Sequence, residues 1–232
     1  MNVKTQLYNM ARPIKTNNTK YESIASQDML PNYKVISSGE VNIRGRELNL
    51  PTYVRDFVNQ HGEVVLICNI INTEVSGIIF RALEEKAFIN YGMGKGNVYG
   101  IGQLEPDFKY GDLLVLLEGA IDRDICSLYI TKNSLALLTN GVSNSQLQVI
   151  ENLTNKVLLL LDNDDAGEQG EKSTVNKLRS KGITCYTITK SNLVKDLGDL
   201  YDLKRKGDSR ADQIILNYRA QVQIHGGKIV WT

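Results

Sequence analysis

The residues of this chain best placed to do chemistry are carboxylates at the ends of apolar runs. Leu113-Leu114-Val115-Leu116-Leu117 ends in Glu118-Gly119, and Val157-Leu158-Leu159-Leu160-Leu161 ends in Asp162-Asn163-Asp164-Asp165-Ala166-Gly167. Short, continuously apolar runs predict fully buried strands of a parallel sheet. In such sheets the functional crevice lies beyond the carboxyl ends of the strands, where these acids stand. Carboxylates set side by side repel one another, so the cluster calls for a cation, and a divalent metal with oxygen ligands is the simplest one. Asp162 and Asp164 flank Asn163, so an extended turn points both to one side and leaves Asp165 to solvent. The competing reading is an acidic turn that caps a helix.

Those acids need a scaffold, and the second half of the chain alternates strand and helix. The patterns predict strand Leu113–Leu117, an amphipathic stretch Ile121–Ile130 and strand Ser134–Leu138. A capped helix from Ser143 to about Leu153 follows, then strand Val157–Leu161, a polar helix from about Glu168 to Lys181 stopped by Gly182, and strand Ile183–Ile188. This rhythm argues a parallel sheet with helices on both faces. A helix over Ala211–Val222 and a short strand over Lys228–Trp231 are expected to close the chain, with Lys204-Arg205-Lys206 as a solvated helix end. Upstream, Glu63–Ile71 and Ser76–Leu83 are β-rich runs around the turn-like Asn72-Thr73. The polar first fifty residues predict loop with a short helix near Tyr21 to Leu30.

Bulk properties exclude several classes. With 232 residues, 42% hydrophobic and 23% charged, the chain reads as one large or two small soluble globular domains. No apolar stretch predicts a membrane span, and no signal peptide is expected. A net charge of +1 confines any nucleic-acid surface to a local patch. Cys68, Cys126 and Cys185 lack paired ligand spacing, which argues buried thiols and no zinc ribbon. His61 and His225 are isolated. An EF-hand fails because Ala166 and Ser173 stand at its fifth and twelfth positions, and no P-loop is present.

The same residues carry a family resemblance. Glu118-Gly119-Ala120-Ile121-Asp122 resembles the Glu-Gly-x-x-Asp motif that opens a Toprim domain, and Asp162-Asn163-Asp164-Asp165-Ala166-Gly167 resembles its Asp-x-Asp-x-Ala-Gly motif in the form seen in bacterial and phage DNA primases. Between them, Ala136 to Gly141 resembles the strand and glycine turn before the middle helix. Lys195-Asp196-Leu197-Gly198-Asp199 resembles the third acidic motif of primases, with one extra residue and no Pro. Upstream, Leu50-Pro51, Gly62 to Val65, Lys86 to Asn90 and Lys95 to Gly100 are similar to the start and the basic ridge of the primase core.

The resemblance implies an α/β protein: a Toprim domain over residues 111–206, preceded by a smaller α+β subdomain over 50–110 with a basic glycine-rich segment. Residues 1–49 are then a polar N-terminal segment of loops and a short helix, and 207–232 a C-terminal helix and tail. It implies a primase-type RNA polymerase core that makes short RNA primers on single-stranded DNA from ribonucleoside triphosphates. Two Mg²⁺ or Mn²⁺ ions, held by Glu118, Asp162 and Asp164 with Asp196 and Asp199, would stabilise attacking and leaving oxygens. Glu118 is an added ligand or the proton acceptor for the attacking hydroxyl. Arg81, Lys86, Asn90 and Lys95 are expected on phosphates. The implied setting is the cytoplasm of a bacterium or phage-infected bacterium, with a replicative helicase or separate template-reading protein as partner and no membrane. Rival readings are a Toprim nuclease of the RNA-maturation or overcoming-lysogenisation type, and a non-catalytic Toprim module that binds nucleic acid or a replisome partner.

Overall fold

The computed structural model describes residues 39–43, 46–50, 53–54, 64–71, 74–82, 88–91 and 98–230. The chain divides into two units between Asn97 and Val98. The short helix expected near Tyr21 to Leu30 lies outside the described residues.

The first unit is built of antiparallel strands. β1 (Gly39–Ile43) pairs with β2 (Arg46–Leu50), while β3 (Tyr53–Val54), β4 (Val64–Ile71), β5 (Glu74–Ala82) and β6 (Phe88–Tyr91) form a sheet in that order. The β4–β5 hairpin sits where the two β-rich runs predict it. Ile67 faces Ile79 across the pair and both are buried.

The second unit is a layered α/β domain. Its strands are β7 (Leu114–Leu117), β8 (Ser134–Ala136), β9 (Lys156–Leu159) and β10 (Thr184–Thr187). All pairs are parallel and the order is β10-β9-β7-β8. Every residue from Leu113 to Leu117 is buried, as is every residue from Val157 to Leu161. Such runs suit strands covered on both faces. The covering helices are α1 (Ala120–Tyr129), α2 (Asn144–Leu153), α3 (Asp165–Ser180), α4 (Leu197–Arg205) and α5 (Ser209–Ile224). β7 connects through α1 to β8 on one side, and β9 through α3 to β10 on the other. Right-handed crossovers then put α1 and α3 on opposite faces, which makes the β7–β9 junction the topological switch point.

Local chemistry fixes the element ends. Ser143 and Gln146 form a reciprocal capping box at the start of α2. Gly182 follows α3 with φ 73°, the left-handed stop its sequence position predicts. α3 begins three residues earlier than the pattern suggests, because Asp164 caps it and the first turn is polar. α4 ends at Arg205 with Lys206 as its C-cap, where Lys204-Arg205-Lys206 read as a helix end, while its start lies in a stretch read for its acids. The strand expected over Lys228–Trp231 is absent among the described residues; Val230 makes one bond, its N–H donating to Ile130 O at 2.9 Å. Tyr99 is fully buried, as a packing residue should be, and its hydroxyl donates to Asp124 Oδ2 at 2.7 Å. Asp124 in turn pairs with the buried Arg123 at 3.1 Å, so neither charge is left uncompensated. No described helix is long and apolar enough to cross a membrane.

Candidate metal centre

The carboxyl ends of β7 and β9 lie side by side. Leu116 pairs with Leu159, and Leu160 N–H donates to Leu116 O at 2.9 Å. Glu118 and Asp162 therefore leave adjacent strands at the switch point, half-buried, as the sequence predicts. The Asp162 carboxyl is pushed up to about 6, first by burial and then by the negative charges of Glu118 and Asp196, with Asp164 contributing less and Lys195 opposing. Asp165 is exposed, again as expected.

Asp164 takes the capping role that the competing sequence reading gives it. Its backbone is extended, and Oδ1 accepts the Gly167 N–H at 2.8 Å, so it is the N-cap of α3. Its Oδ2 lies 2.9 Å from Lys195 Nζ. As they stand, no three acids or other ligand-type side chains among the described residues close on one point. Asp164 is turned to its cap and its lysine.

The third acidic segment reaches the site through α4. Asp196 caps α4 by accepting the Asp199 N–H at 2.8 Å, and Asp199 Oδ2 accepts the Lys195 N–H at 3.0 Å. Asp196 is thus close enough for its charge to act on Asp162, whereas Asp199 serves the loop. Two further bonds seat this segment: Asn163 N–H donates to Lys195 O at 2.7 Å, and Gly198 N–H donates to Asp122 Oδ1 at 3.1 Å. Asp122, the last residue of the Glu-Gly-x-x-Asp motif, is a clamp between α1 and α4. Lys190 Nζ donates to Asp162 O at 3.3 Å and pairs with Glu171 at 2.8 Å. A shallow cleft lined by Asp122, Asp162, Asn163, Lys195, Asp196 and Tyr218 opens between these elements.

Residues 115–201 match the model of the Toprim-like family. They form a Toprim-like domain. The chain is 28% identical over 92 residues to the DNA primase of Aquifex aeolicus, which covers 40% of this chain and 18% of that protein. It superposes on the crystal structure of the Aquifex aeolicus primase zinc-binding and RNA polymerase domains with a TM-score of 0.56, at 21% identity over 88% of this chain and 50% of that one. The RNA polymerase domain of Mycobacterium tuberculosis primase, solved with a double-stranded DNA oligomer bearing a 6-nucleotide overhang, matches with a TM-score of 0.50, at 17% identity over 69% of this chain and 57% of that one. The fold is that of a primase catalytic core. This chain spans about half or less of the relatives' lengths.

The Toprim-like domain implies a divalent cation, and the residues fit one. The donor set is all carboxylate, Asp162 is raised by burial and then by like charge, the second of which a cation would relieve, and an ammonium already stands at Asp164. In the first unit, Arg81 is half-buried and shares the face of β5 that buries Ile79; Asn90 pairs with Ile79 in register. Lys86 and Lys95 lie outside the described residues. Sequence reasoning gave no role to Lys195 or Asp122, although both fall inside the motifs it quoted.

The raised Asp162 carboxyl sets an expected pH dependence. The folded, metal-free chain holds this proton more tightly than the unfolded chain does. The resulting stabilisation is fully present below the ordinary value of 3.8 and is lost as the pH rises through about 6. In EDTA, wild type should therefore lose more Tm between pH 5 and 7.5 than Asp162→Asn does. Cation binding must expel the same proton, so Mn²⁺ affinity should fall about tenfold per pH unit below about 6. Equal pH profiles for the two proteins would remove Asp162 from the site.

Proposed function

We propose that this chain is a primase-type nucleotidyltransferase core that makes short RNA primers on single-stranded DNA. One observation supports the reading: Glu118 and Asp162 leave adjacent parallel strands at the switch point of a Toprim-like domain, and the negative charges of Glu118 and Asp196 act on Asp162, within a primase-core fold. Glu118, Asp162 and Asp164, with Asp196 beside them, would hold Mg²⁺ or Mn²⁺, and Asp199 would support them through the Lys195 backbone. The bound cations supply charge stabilisation for phosphoryl transfer. Glu118, half-buried beside Asp162, takes the proton of the attacking hydroxyl or adds a ligand. Ribonucleoside triphosphates are the substrates. A replicative helicase or separate template-reading protein is the natural partner, because phosphate contacts position a strand without reading its bases. The bacterial or phage-infected cytoplasm is the matching compartment.

The test is purified protein with Mg²⁺ or Mn²⁺, four ribonucleotides and single-stranded DNA. Oligoribonucleotides are expected. Shortened input would make the protein a nuclease, and neither product would leave a binding module. The complex of the Mycobacterium tuberculosis domain with a double-stranded DNA oligomer bearing a 6-nucleotide overhang supports a DNA substrate. Arg81, Lys86 and Lys95, with Asn90 in the same segment, are proposed phosphate contacts. The triple alanine variant at the three cations should weaken single-stranded DNA binding about equally on all sequences. It should also lower the salt slope by about one unit per lost contact. An unchanged slope would make the three ordinary charges.

A further inference from the structure

Lys195 differs from the other cations near the acids. Its Nζ is 2.9 Å from Asp164 Oδ2, and its positive charge is felt by Asp162 and Asp196 as well. Lys190, the neighbouring ammonium, is instead engaged by Glu171 and by the Asp162 carbonyl. The main chain of Lys195 is held at both polar groups: its carbonyl accepts the Asn163 N–H of the acidic turn, and its N–H donates to Asp199 at the head of α4. The side chain is 44% exposed, so its pair with Asp164 is open to solvent. A held backbone with a solvent-exposed ammonium can hold a carboxylate and release it.

We infer that Lys195 is a built-in counter-ion that competes with the divalent cation for Asp164 and thereby sets the cation affinity of the site. The inference rests on the metal reading of the Toprim-like domain. Without a cation, the ammonium screens Asp164, Asp162 and Asp196 from one another. When a cation binds, Lys195 gives up Asp164, and its charge is then a cost to be overcome. Removing that charge should tighten cation binding and make the metal-free protein less stable. Because the pair is exposed, the effect is modest.

The experiment is Mn²⁺ titration of the full chain, reading free Mn²⁺ by its electron paramagnetic resonance signal, with thermal melts in EDTA and in saturating Mn²⁺. Lys195→Met should bind Mn²⁺ about fivefold tighter than wild type, the upper end for an exposed ion pair. It should melt lower in EDTA and gain more Tm from Mn²⁺. Lys195→Arg keeps the charge and should keep wild-type affinity. Lys172→Met, an exposed lysine of α3, should also leave affinity unchanged and so exclude a general loss of positive field. Unchanged or weaker binding in Lys195→Met overturns the inference, as does equal tightening in Lys195→Arg or Lys172→Met. Wild type and Lys195→Met both failing to bind Mn²⁺ would instead remove the metal reading beneath it.

Discussion

Asp162→Asn and Asp164→Asn are each expected to lower primer synthesis about 10³-fold while leaving the fold intact. The loss follows from the several kcal/mol that a metal ion contributes to stabilising transferred phosphoryl charge. What makes the pair informative is that stability moves differently. Asn is as good an N-cap as Asp, so Asp164→Asn keeps the Gly167 bond and loses only the exposed Lys195 pair, worth less than about 1 kcal/mol. Asp162→Asn removes a half-buried carboxylate crowded by Glu118 and Asp196. In EDTA at pH 7.5 that variant should melt at or above wild type. Activity lost with Tm held or raised would locate the chemistry at these carboxylates; near-normal turnover in both would move it elsewhere. Glu118→Gln serves as the third arm, with a smaller loss if Glu118 moves only a proton.

The scaffold was legible because its signals are local. Leu113–Leu117 and Val157–Leu161 read as buried parallel strands from apolarity and length alone, and the acids follow directly in sequence. The runs overstate the ladders, however. Leu160 and Leu161 are buried beyond β9, and Leu138 turns with φ 61° where the pattern continues β8. Burial and strand pairing are different constraints, and composition reports only the first. The start of α4 was hidden for the opposite reason: Asp196 and Asp199, three apart, are a helix-start signature, yet beside basic and acidic neighbours they read as ligands, and only the helix end at Lys204-Arg205-Lys206 was legible. The Lys195–Asp164 pair was illegible. It joins residues thirty-one apart through a loop whose path depends on Asn163, Asp122 and α4 together. No periodicity encodes such a contact.

Gly167, the last residue of the acidic motif, tests how closely the helix and the site are joined. By helix propensity alone, Gly167→Ala in the first turn of α3 should stabilise the protein by up to about 1 kcal/mol. Packing reverses the sign. A Cβ at Gly167 would lie 2.1 Å from the Asp162 carbonyl oxygen and 2.9 Å from its carbon. Both are main-chain atoms, so no rotamer change relieves the clash. Either α3 tilts away, breaking the Asp164 cap, or the Asp162 backbone moves and takes its carboxylate with it. A net loss of about 3 kcal/mol is expected, at the upper end of ordinary overpacking. Gly170→Ala separates the two consequences. Its Cβ would meet Asn140 O at 1.4 Å, on the turn leading to α2, so it should cost at least as much stability without touching the acidic turn directly. Measured on folded protein at low temperature, Gly167→Ala should lose about tenfold in Mn²⁺ affinity, and Gly170→Ala much less. Wild-type Tm and affinity in Gly167→Ala would mean that α3 does not rest on the Asp162 main chain, and that the motif's glycine has no part in aiming the carboxylate.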